Sequence, residues 1–200
     1  MFDKPAKAMH DAPFHVAGAS PGEREELVKL GMLSERGEVR SDTPSDVLAR
    51  PPSVPRRATS VPEVLNEAYD YARPSSFSRA LSFDIADAKI LLISGTASVD
   101  EAGRTVHVGD FRAQCWRTYR NITAILRAED MSWGDVVRTT CYLRDIERDY
   151  KDFNEVRTAF LGWHGLDPLP ASTGIQVRLC REDLLVEIEA MAVSRLSAGS

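Results

Sequence analysis

Pro170-Ala171-Ser172-Thr173-Gly174-Ile175-Gln176-Val177-Arg178-Leu179-Cys180-Arg181-Glu182-Asp183-Leu184-Leu185-Val186-Glu187-Ile188-Glu189-Ala190-Met191-Ala192-Val193 reads as two strands joined by a charged turn. Successive side chains of a strand point to opposite faces, so Leu184, Val186, Ile188, Ala190 and Ala192 make one wholly apolar face. The other face carries Leu185, Glu187, Glu189, Met191 and Val193. Burying two unpaired carboxylates there would be costly. That face must therefore meet water, a cation, a partner subunit or a pocket.

Working upstream, Val137, Thr139, Cys141 and Leu143 alternate with Arg138, Thr140, Tyr142 and Arg144, which predicts a half-buried strand over 136–144. Between it and the C-terminal pair, Phe153, Val156, Phe160 and Trp163 form a helical stripe over about 150–163. Before it, Asp110 caps a helix whose apolar residues Phe111, Cys115, Tyr119, Ile122 and Leu126 share one face. Alternation over 80–86 and an apolar run over 90–98 predict two more strands, and 105–108 reads as a short third. Three strands, helix, strand, helix, two strands implies an α+β fold, one sheet with two helices on one face. The uncovered face, unless strongly polar, must be buried by self-association.

Residues 1–75 read as an irregular N-terminal arm with short helices, and 76–195 as the folded domain. Ser20 caps a helix with Pro21 in its first turn, ending near Gly31. From Glu35 to Pro62, prolines rule out regular structure, and Leu65, Ala68 and Tyr69 suggest a second short helix before Pro74. The arm is either partly disordered or packed along the body or a neighbouring subunit, and its apolar anchors, Leu27, Leu30, Met32, Val64, Leu65 and Tyr71, favour packing.

No apolar run is long enough to cross a bilayer, and Met1 to Ala8 lacks the apolar middle of a secretory signal, so a cytoplasmic chain is expected. The net charge of −5 gives no electrostatic basis for nucleic-acid binding. Three dispersed cysteines fit reduced thiols, and the four histidines lack metal-ligand spacing, so no metal or other cofactor is expected.

Leu92-Ile93-Ser94-Gly95-Thr96, Asn121-Ile122, Asp135-Val136-Val137-Arg138-Thr139-Thr140, Phe153-Asn154-Glu155-Val156, Pro170-Ala171-Ser172 and Val186-Glu187-Ile188-Glu189-Ala190 together resemble the Rid (YjgF/UK114) superfamily, in matching order over about residues 76–194. The resemblance implies a chorismate-mutase-like protomer, a homotrimer, and small-molecule pockets at the subunit interfaces. Deaminases of that superfamily hydrolyse enamines and imines derived from amino acids. They grip the substrate carboxylate with an arginine directly after Pro-Ala, and here that position is Ser172. Phe77 stands where an aromatic borders the pocket, and Thr96 where glutamine is common. Other segments, including Phe77-Ser78-Arg79-Ala80 and the run from Leu179 to Glu189, are similar to the C-terminal domain of chorismatases, which cleave an enol-pyruvyl ether. Cys180 and Glu187 match the product-determining and catalytic positions of that group.

Glu187 is accordingly the leading catalytic candidate. In a partly desolvated pocket its pKa would rise, so that it could protonate an enamine or enol-ether carbon or activate water. The alternative is a structural carboxylate paired with Arg178 across the hairpin. Cys180 either lines the pocket, attacks as a thiolate or merely fills space. Arg79 and Arg178 are candidates to hold a small anionic metabolite, and Ser172, Thr173 and Gly174 could bind it through hydroxyls and backbone N–H. Two functions stay open: hydrolysis of an anionic enol ether, enamine or imine, or a non-catalytic ligand-binding trimer.

Overall fold

The computed structural model describes residues 19–40, 53–72 and 75–196. The polar N-terminus and Pro51-Pro52 lie outside these residues. Two compact units are present, residues 1–53 and 54–200. In the first, helix α1 (Pro21–Lys29) begins with a capping box: the Glu23 N–H donates to Ser20 Oγ at 3.1 Å, and the Ser20 N–H to Glu23 Oε2 at 3.4 Å. Beyond it, Leu33 and Val39 pair as a single antiparallel bridge.

The second unit is one mixed six-stranded sheet in the order β1-β2-β3-β6-β4-β5. Its strands are β1 (Arg56–Ala58), β2 (Ala80–Ile85), β3 (Ala88–Ala97), β4 (Val136–Leu143), β5 (Ala171–Gln176) and β6 (Val186–Arg195). Helices α2 (Phe111–Ala128) and α3 (Ile146–Trp163) pack together on one face. The α2 stripe is core: Phe111, Cys115, Tyr119, Ile122 and Leu126 are all buried. From the sheet, Leu91, Ile93, Cys141, Leu143, Val186, Ile188 and Ala192 meet it. The α+β class and the one-sided helical layer are as the periodicity predicts.

Several local expectations are overturned. The C-terminal pair is not a hairpin. The β4–α3–β5 crossover makes β5 parallel to β4, and the chain then passes to the other edge of β4, where β6 pairs antiparallel with both β4 and β3. The expected strand at 105–108 shrinks to a single Val99–Thr105 bridge, because His107 and Gly109 take positive φ (58° and 81°) and turn the chain. Helix α3 starts at Ile146, four residues early, since Asp145 accepts from the Arg148 N–H at 3.0 Å as its cap. Trp163 is 82% exposed, and Leu161 takes the inner place.

The body also reaches further upstream than the sequence suggested. Arg56–Ala58 lie between prolines and form an edge strand on β2, where one ladder partner suffices. The helix expected near Leu65 is a single 3-10 turn, Ala68–Asp70. Its neighbours Val61 and Leu65 belong to the main core, with Leu65 at 0% exposure.

Truncating a fully enclosed leucine removes its transfer energy and leaves a cavity. Leu65→Ala should therefore lower unfolding stability by about 2–5 kcal/mol in a denaturant titration. A change below about 0.5 kcal/mol, the range of surface substitutions, would contradict integration of this segment into the core.

Candidate active site

β6 is held from both sides, and the loop before it is tied down by two polar side chains. Gln114 of α2 accepts the Leu185 N–H at 2.8 Å through Oε1, and its Nε2 donates to the carbonyls of Asp183 (2.9 Å) and His107 (3.2 Å). Arg144, just after β4, donates from Nε to Leu184 O at 2.6 Å and from Nη2 to Arg181 O. Leu184 and Val186 are buried, so the alternation that follows places Glu187, Glu189, Met191 and Val193 on the face away from the helices. Leu92, at 43% exposure, and Ile175, at 41%, share this uncovered face.

Glu187 lies opposite Ala97 of β3 and Tyr142 of β4. The β3–β6 register shifts between Ile93 and Thr96, and the Glu187 carboxyl rests against Gly95 within that bulge. A Cβ on Gly95 would stand 1.9 Å from Glu187 Oε1, so glycine is required for this close approach. Burial pushes the Glu187 carboxyl above the usual carboxylate range. The positive charges of Arg79 and Arg181 oppose that push, and Glu189 adds to it.

Arg79 is itself buried, at the foot of β2. Its backbone N–H donates to Glu67 Oε2 at 3.2 Å, and its Nε to Asn66 O at 3.1 Å. Its guanidinium carbon is 5.0 Å from the Tyr71 ring centre and 5.1 Å from that of Phe77. Tyr71 in turn packs on Gly103, where a Cβ would come within 2.6 Å of the ring. Glu67 Oε1 is buried without a hydrogen-bond partner among the described residues, and burial raises the Glu67 pKa.

The remaining candidates divide between places. Thr96 is fully buried and its hydroxyl donates to Ser94 O at 2.8 Å, so its side chain is part of the bulge. Cys180 is exposed in the loop before β6. Arg178 does not pair with Glu187. Its side chain is 84% exposed and, among the described residues, its ion pair is with Glu182, at 3.8 Å. Thr173 accepts from Arg138 Nη2 at 3.4 Å, whereas Ser172 accepts from Thr139 Oγ1 at 3.0 Å on the helix side of the sheet. Ser172 and Glu187 therefore lie on opposite faces of one chain's sheet.

On the helix side, a cavity of about 490 Å³ opens between α3 and the β4–β5 edge, bordered by Ser172, Gly174, Tyr150, Asn154 and Arg157. Sequence reading passed over Arg157, although it stands four residues after Phe153, next to the core stripe, where a cation is out of place. It likewise passed over Glu67, an acid between the buried Leu65 and Ala68. Among the described residues no cluster of His, Cys, Asp and Glu could hold a metal ion, and no helix is long and apolar enough to cross a membrane.

Comparison with known proteins agrees with this architecture. The family model described as Endoribonuclease L-PSP matches residues 72–194. The 2-iminobutanoate/2-iminopropanoate deaminase of Salmonella typhimurium is 32% identical over 106 residues, which span 53% of this chain and 80% of that protein. A RutC family protein of Pyrococcus horikoshii is 34% identical over 102 residues, 51% of this chain and 77% of its own. The crystal structure of the YjgF gene product from Escherichia coli superposes with a TM-score of 0.56 at 26% identity, covering 70% of this chain and 99% of that one. Sequence match, sheet order and helical layer together show that the chain belongs to the endoribonuclease L-PSP (YjgF/RidA) family.

Proposed function

We propose that this chain hydrolyses a small anionic imine, enamine or enol ether, with Glu187 as the acid/base, in a pocket completed between subunits of a homotrimer. The observation that carries the reading is Glu187 itself. Its carboxyl is half-buried, lodged on Gly95, and raised in pKa by burial with Arg79 nearby. A carboxyl raised in this direction keeps its proton to a higher pH than a solvated one and can return it, as general acid–base catalysis requires. The names of the Salmonella and Escherichia coli relatives support the imine as the first substrate class to test.

For an imine the balance is simple. One water is consumed, the C=N bond is replaced by C=O, and ammonia leaves. In its acid form Glu187 protonates the nitrogen, and as carboxylate it removes a proton from the attacking water. For an enamine or enol ether the same acid first protonates carbon. Arg79, fixed by Asn66 and flanked by Tyr71 and Phe77, supplies a positive charge for the substrate anion.

The trimer is part of the proposal for a geometric reason. Ser172 and Gly174 can join Glu187 only if they come from another copy, because one sheet separates them within a chain. The uncovered face of β3, β6 and β4 carries apolar Leu92 and Met191, a surface suited to such contact. Exposed Cys180 and Arg178 would face solvent or a neighbouring copy.

Replacing Glu187 by Gln should lower turnover of 2-iminobutanoate, generated in situ by an amino-acid oxidase, by about 10²- to 10⁴-fold. Unchanged turnover removes the claim. If the native chain is inert towards imines and enol ethers while Ser172→Arg creates imine hydrolysis, the non-catalytic ligand-binding reading takes its place.

The same substitution has a pH signature. The folded pKa of Glu187 is raised, so its contribution to stability is fully present below the unfolded carboxylate pKa and is lost as pH rises through the folded value. Glu187→Gln should therefore gain stability relative to the native chain as pH rises from about 4, near the ordinary carboxylate pKa, read from paired thermal unfolding curves. A difference that does not change with pH contradicts the assignment.

Gly95→Ala supplies a further check. The clash falls on the tip of a flexible side chain, so stability should change by less than about 1 kcal/mol, while turnover falls because the carboxyl is displaced. Full activity in this variant would show that the seat on Gly95 is not needed.

A further inference from the structure

Arg79 is a buried cation placed between two acids. On one side, the Ser94 N–H donates to Arg79 O at 3.0 Å, one residue before the glycine on which the Glu187 carboxyl rests. On the other, Glu67, at 3% exposure, accepts the Arg79 N–H through Oε2, while its Oε1 has no hydrogen-bond partner among the described residues. An acceptor left unused in the interior costs stability, and a neutral glutamine could take the same backbone N–H. The contact alone does not call for an acid.

The charges around the two carboxyls suggest what does. The Arg79 charge opposes the upward push of burial at both Glu67 and Glu187. Asp70, on the same turn, is the other charge acting on Glu67. Glu187 is faced by Arg181 from the preceding loop, by Glu189 on its own strand and by Tyr142 of β4. Arg181 is tied by Nη1 to Gly103 O, under the Tyr71 ring. Arg79 is thus the counter-charge common to both acids. Its Nε bond to Asn66 O and its place between the Tyr71 and Phe77 rings hold it towards the 66–71 segment, and among the described residues it makes no salt bridge with either carboxylate. A guanidinium free to swing would close on a partly desolvated carboxylate, keep it ionised and spend both groups on each other.

We propose that Glu67 is a positioning residue for Glu187: in its ionised form it draws the Arg79 guanidinium towards the 66–71 segment and keeps it from closing on the Glu187 carboxyl. The inference deepens the proposed function and rests on it for what Glu187 does, but the effect itself is read on the carboxyl without turnover. Glu67 lies upstream of the family match at 72–194, so this restraint is added to the family body from outside it. Because the two carboxyls share one counter-charge, they titrate as a pair.

The test is a carbon-13 NMR titration of the full chain labelled at the glutamate side-chain carboxyls, with the Glu187 signal identified by its absence in Glu187→Gln. In Glu67→Gln, whose amide oxygen can still accept the Arg79 N–H, the Glu187 midpoint should fall by about one pH unit, the effect of bringing a single charge a few ångströms closer at a partly buried site. Glu67→Met, which drops both charge and acceptor, should move it in the same sense and decides the matter if the glutamine variant does not fold. Asp70→Asn removes an exposed acid of the same turn and should leave the midpoint in place. In an Arg79→Gln background, Glu67→Gln should add no further shift, since the effect runs through the guanidinium. An unmoved or raised midpoint in the Glu67 variants, an equal fall in Asp70→Asn, or an undiminished shift without Arg79 would each overturn the inference. In an active chain, the limb of the pH–kcat profile governed by Glu187 should move with the midpoint. A shifted midpoint in a chain that turns nothing over refutes the hydrolase reading and leaves this inference standing, whereas an unmoved midpoint in an active chain does the reverse.

Discussion

A strand with ladder partners on both edges cannot slip by one residue without breaking two sets of hydrogen bonds and turning its apolar face to water. β6 is such a strand, between β3 and β4, and much of the molecule follows from it. Val186, Ile188, Ala190 and Ala192 must face α2 and α3, so Glu187 and Glu189 must face away. The Gln114 and Arg144 bonds to the preceding loop set the point at which this alternation begins. The β3 bulge then provides a bare Cα at Gly95, against which one of the two carboxyls is partly desolvated. Stability of the sheet and the raised pKa of Glu187 thus have a common origin.

The sheet also acts as a partition. Glu187 and the Tyr71–Arg79–Phe77 stack belong to the strands β2, β3 and β6, whereas Ser172, Asn154 and Arg157 gather beneath α3 at the β5 edge. In the proposed trimer, groups of one copy would meet those of another across this partition. The segment 54–72 adds a feature largely upstream of the family match at 72–194: it clamps Arg79 through Asn66 and Glu67 and contributes Leu65 to the core. A buried acid with an unpartnered oxygen beside a buried arginine is an expensive arrangement, tolerated here where it orients a charged group.

Much of this was legible in the residues. The stripe Phe111, Cys115, Tyr119, Ile122 and Leu126 identified a core helix, and the alternation of β6 assigned Glu187 to the outer face, because periods of 3.6 and 2 are local properties of the chain. Family resemblance singled out Glu187 as a candidate and Ser172 as a departure from the family pattern. Strand neighbours were less legible: β5 and β6 are adjacent in sequence but separated by β4, since a parallel crossover places β5 on one edge and the return loop takes β6 to the other. Nor did the sequence disclose that Arg178 projects into solvent while Arg157 reaches Ser172. Those outcomes depend on how α3 docks, a matter of packing between elements.

By itself, then, the sequence determined the two long helices and the main strands of the body, their buried faces and the side of the sheet on which Glu187 stands, all consequences of short-range periodicity and capping. Tertiary structure alone decided that Glu187 rests on Gly95, that Arg79 is held by an upstream segment, and that Ser172 lies across the sheet from the carboxyl it was expected to join. The physical reason is that close approach and desolvation are made between segments distant in the chain, and only the packed fold brings those segments together.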